Sequence, residues 1–69
     1  MRQWFVEPSV EAPIVLVEVD DYRKAKLMTP AQPVWAQRDS MARWAFDSTG
    51  INVSREQAAK IAASWGTKL

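Results

Sequence analysis

Glu18, Asp20 and Asp21 form the one carboxylate cluster in this 69-residue sequence, and clustered oxygens of that kind can hold a hard cation. Their spacing is not that of an EF-hand loop, and on a strand Glu18 alternates away from its neighbours. The cluster therefore reads as a solvated turn whose negative charge opposes Arg23 and Lys24. A serine nucleophile needs an activating base, and the chain has no histidine; a Ser–Lys arrangement has no motif around it. Tyr22 alone supports no mechanism. With neither cysteine nor histidine, disulfides and thiolate metal sites are excluded, and zinc and copper lose their usual ligands. The expectation is a non-enzymatic protein that carries no metal and no cofactor.

Four tryptophans, Trp4, Trp35, Trp44 and Trp65, are the other residues of note. A chain this short spends such rings on a core, on a binding surface, or on both. One domain of 69 residues buries only about 60% of its unfolded surface, so dense aromatic packing or self-association must supply stability. A homodimer is expected on that ground. The longest apolar run, Ile14 to Val17, is far too short for a membrane span, and Glu7 and Pro8 interrupt the N-terminal segment before a signal-like core forms. These features indicate a soluble, cytoplasmic protein with no membrane partner.

Net charge is +1, but unevenly placed. Residues 1–21 carry one basic side chain, Arg2, against five acidic ones, a net −4; residues 22–69 carry eight basic against three acidic, a net +5. Such asymmetry fits either mutual neutralisation on folding or an electropositive face. A pI near 8.1 falls short of the value above about 9 that marks a nucleic-acid-binding domain, which favours neutralisation.

The elements that must position these residues divide the chain in two. Residues 1–28 read as β: Trp4-Phe5-Val6 is a short β-prone run, and Ile14–Val19 is apolar on both faces, as a central strand covered on two sides would be. Residues 20–28 suit a hairpin into a second partner strand better than an aspartate-capped helical turn. A proline-rich connector, 29–33, follows. Residues 34–48 read as a helix stopped by Gly50, and 54–65 as a second helix. The latter has Ser54 and Gln57 in a capping box, an Ala58-Ile61-Ala62-Trp65 stripe and Gly66 as its stop. The fold class indicated is α+β, a two- or three-stranded antiparallel sheet followed by two packed helices, in one domain spanning 1–69.

Helical phase separates the tryptophans. At about 100° per residue, Val34, Trp35, Met41, Ala42, Ala45 and Phe46 share one arc. Trp44 falls outside it, beside Gln37, Ser40 and Asp47. Trp35 and Trp65 are thereby assigned to packing, and Trp44 to an exposed aromatic anchor rimmed by Gln37, Ser40 and Arg43. The function this supports is a small protein-binding regulator or inhibitor that blocks its partner sterically, of a size common among bacteriophage and mobile-element proteins. The alternative is a helix-turn-helix or winged-helix-like DNA binder, excisionase- or repressor-like. It would place Arg55 and Lys60 on a recognition helix and Arg23, Lys24 and Lys26 at a wing tip. The long connector 49–53, and Glu56 at the start of that helix, weigh against it.

Overall fold

A computed structural model describes residues 2–21, 24–47 and 49–69. Five strands, β1 (Gln3–Glu7), β2 (Val15–Asp21), β3 (Lys24–Met28), β4 (Ala36–Gln37) and β5 (Ile51–Val53), form one sheet in the order β4-β3-β2-β1-β5. Every neighbouring pair is antiparallel. β2 is the middle strand, and its Leu16, Val17 and Val19 are fully or almost fully buried, as apolar residues on both faces require. Residues 24–28 are a strand paired with β2, so the hairpin reading holds there rather than the helical one.

The architecture differs from a small sheet followed by two packed helices. Among the described residues the sheet has five strands, and the only full-length helix is α2 (Arg55–Ser64). The helix expected over 34–48 does not form as one element: of residues 34–47, only Trp44–Asp47 are α-helical, and residue 48 lies outside the described residues. After a turn closed by reciprocal backbone hydrogen bonds between Thr29 and Gln32, Ala36 and Gln37 pair with Leu27 and Lys26. Only then does a 3-10 turn, Asp39–Arg43, run into a single α-helical turn, α1 (Trp44–Asp47). Helix propensity yields here to the open edge of β3, whose backbone groups must be satisfied; the Arg38 N–H also donates to the Ala25 carbonyl. Val34, expected on a buried helical face, is 62% exposed. The segment 49–53, expected as a connector, contributes β5 on the far side of β1.

Each face of the sheet carries its own apolar cluster. On one, Val6, Leu16, Met28 and Val53 pack against Ala58, Ile61 and Ala62 of α2, with Trp4, Trp35 and Trp65 at the margin. On the other, Phe5, Val17, Val19 and Ala25 pack against Ala42 and Trp44, with Met41 and Ala45 at the margin. α2 keeps the limits its sequence implies. The Ser54 hydroxyl accepts from the Gln57 N–H, and the Gln57 side chain accepts from the Ser54 N–H. At its other end Gly66 adopts φ +83°, while Gly66 and Thr67 N–H groups return to Ala63 and Ala62 carbonyls, closing a Schellman motif.

Candidate functional site: a charged row beside α2

Antiparallel register and the two-residue pleat decide which side chains meet. On the face that α2 covers, Val6, Leu16 and Met28 make one cross-strand row beneath the helix. One step along the strands, the row becomes Trp4, Glu18, Lys26 and Gln37, set side by side across four strands. One step further stand Arg2 and Asp20, with Lys24 at the start of β3.

Glu18 organises this polar half. It is only 5% exposed, within the run Val15–Val19 that is otherwise apolar. The Trp4 indole Nε1–H donates to Glu18 Oε2 at 3.0 Å, and Lys26 Nζ lies 3.4 Å from Glu18 Oε1. A carboxylate withdrawn from water needs such partners at both oxygens. Lys26, 39% exposed at its side chain, is held from a second side by the Trp35 ring, 5.0 Å from Nζ to the centroid. The Trp35 Nε1 atom is itself buried with no hydrogen-bond partner among the described residues. Arg2 Nε meets Asp20 Oδ1 at 3.3 Å, an exposed pair that contributes little stability. Together Arg2, Glu18, Asp20, Lys24, Lys26 and Gln37 line an open recess of about 130 Å³. The Gln37 amide nitrogen donates to Asp39 Oδ1, which also accepts from the Ala25 N–H, so the edge of the recess is tied to β3.

Compared with protein-family models, curated proteins and solved structures, the chain matches none.

The residues singled out from sequence fall in several places. Trp44 is not an exposed anchor: it is 8% exposed and packs under the sheet against Phe5 and Val17. Its ring lies so close to Gly50 that a Cβ there would sit 2.6 Å from Cζ3. The helical phase fails because Trp44 is reached through a 3-10 turn. At about 120° per residue it returns to the direction of Met41, three positions earlier. Ser40 and Arg43 are exposed on that turn, which lies against β3 and β2 on the opposite face from the recess. Gln37 alone of that quartet lines the recess.

The described residues likewise show no helix-turn-helix geometry. A strand, β5, separates α1 from α2, and α2 packs on the sheet rather than on a helical partner. Arg55 and Lys60 are exposed on α2, Lys24 and Lys26 line the recess, and Arg23 lies outside the described residues. Glu18 is not part of a solvated turn, and among the described residues the cations that meet Glu18 and Asp20 are Lys26 and Arg2. No group of three or more acidic side chains suited to a metal occurs among the described residues. Nor is any helix there long and apolar enough to cross a membrane.

Sequence reasoning missed the roles of Arg2, Trp4, Glu18 and Trp35. One signal was available: Glu18 falls on the same face as Leu16 in a strand apolar on both sides. A charge at such a position demands a partner.

Proposed function

We propose that this protein is a non-catalytic binding module that regulates or inhibits a protein partner by occluding one of its surfaces, and that the charged row beside α2 is its contact face. The observation that carries this reading is the arrangement of that row. Its charges are already fixed in place by Trp4, Glu18, Lys26 and Trp35, yet α2 leaves the recess above them open. Groups held in position before contact lose little freedom on binding. Their signs alternate across the strands, which suits the mixed polar surface of a protein. Phosphates would meet Glu18 and Asp20 beside the lysines, so the same alternation disfavours a nucleic-acid backbone.

The test is affinity capture from a lysate of the source cells, with and without nuclease, comparing the wild-type chain with Lys24→Glu. Lys24 is exposed, so Lys24→Glu should leave the fold intact, as circular dichroism of the variant checks. A protein should be retained after nuclease treatment and lost by roughly tenfold in the variant, the effect of reversing a charge at a contact rim. Nuclease-sensitive capture, or capture unaffected by Lys24→Glu, overturns the reading. Sedimentation velocity on the purified chain reads directly whether the partner is a second copy.

A further inference from the structure

We infer that the recess receives a carboxylate side chain, so that the surface recognised is an acidic protein segment. This rests on the reading of the charged row as a partner-binding face. Three cations and two carboxylates line the recess, a residual charge of one positive unit. Both carboxylates are engaged within the protein: Glu18 through each of its oxygens, Asp20 through Oδ1. What remains is chiefly donor capacity. The Lys24 ammonium has no ion pair among the described residues, and Lys26 directs its ammonium to one oxygen of Glu18 while staying part-exposed. An ammonium offers three donors, so both lysines keep N–H groups for a ligand.

Charge balance selects the ligand. One carboxylate neutralises the residual positive unit. A phosphate at neutral pH carries roughly 1.5 negative charges and leaves the recess with a negative excess beside Glu18 and Asp20. The site is partly open to solvent, so the contact is weak, salt-sensitive, and serves to orient a larger interface.

Titration of the isotopically labelled full chain tests this, following the side-chain nuclei of Lys24, Lys26 and Gln37 by NMR. Three probes are compared: a blocked peptide of alternating aspartate and glycine, its asparagine counterpart, and inorganic phosphate. The aspartate peptide should give saturable shifts that fade with added salt, the asparagine peptide none, and phosphate weaker ones than the aspartate peptide. Lys24→Gln should weaken the aspartate peptide by about threefold to fivefold, the size of one exposed ion pair, without changing the rest of the spectrum. An equal response to the asparagine peptide, a stronger one to phosphate, no saturable shift, or no effect of Lys24→Gln each overturns the inference. Capture that is lost in Lys24→Glu while the aspartate peptide leaves the spectrum unmoved retains the contact face and discards its carboxylate ligand. Capture that survives Lys24→Glu while the peptide still binds does the reverse.

Discussion

Trp44→Ala should unfold much of the protein rather than merely remove a contact. The ring is 8% exposed and lies between Phe5, Ala42 and the Gly50 backbone. A buried tryptophan removes roughly 200 Å² or more from water, worth about 5 kcal/mol at about 25 cal/mol per Å². Residual compactness of the denatured chain trims this by about 10–40%, to ~3–5 kcal/mol, which matches the usual cost of truncating a core aromatic. A chain of 69 residues has only ~3.5–10 kcal/mol of total stability, so the loss is a large share of it. Urea denaturation followed by far-UV circular dichroism measures this. With a slope near 1 kcal/mol per molar, the midpoint should fall by ~3 M or more, and Trp44→Phe should lose roughly half as much. A midpoint within ~0.5 M of wild type would show that Trp44 bears little of the packing, and the placement of the ring beneath the sheet would be wrong.

Two further outcomes follow from the same packing. Gly50→Ala and Gly66→Ala should both destabilise, for different reasons. The first forces a methyl group into the Trp44 ring and costs about 1–3 kcal/mol, the second strains a φ of +83° in open space and costs ~1 kcal/mol. Replacing Trp44 by phenylalanine, the milder truncation, in the Gly50→Ala background should therefore relieve much of the Gly50 effect in a double-mutant cycle, and independence of the two sites would refute the contact. Glu18→Leu should cost about 1–3 kcal/mol by thermal or chemical denaturation, because the Trp4 N–H loses its acceptor and Lys26 its counter-ion. Glu18→Gln keeps an acceptor for Trp4 and should lose less; equal losses in the two variants would show that the Trp4 hydrogen bond contributes nothing.

Elements whose signals are local are legible in the amino-acid order alone. α2 is written in a capping box, an apolar stripe and a terminal glycine, all within a few residues of one another, and each makes the contact its type implies. β2 is written in valine and leucine on both faces, which only a covered central strand accommodates, whereas Ile14, read as its first residue, lies outside it and is exposed. The type of a longer strand or a capped helix can be read this way because neighbours in sequence are also its partners in space.

The remaining features depend on partners far along the chain. β4 and β5 are two and three residues long, too brief to show a period, and exist because the edges of β3 and β1 offer hydrogen bonds. Trp44 turned inward because a 3-10 turn replaced the α-helical phase and Gly50, six residues on, left room for its ring. The charged row likewise joins Trp4, Glu18, Lys26 and Gln37 through register between four strands. Cross-strand neighbours separated by up to 14 residues carry no mark in local composition, so the recess they line becomes visible only once the strands are paired.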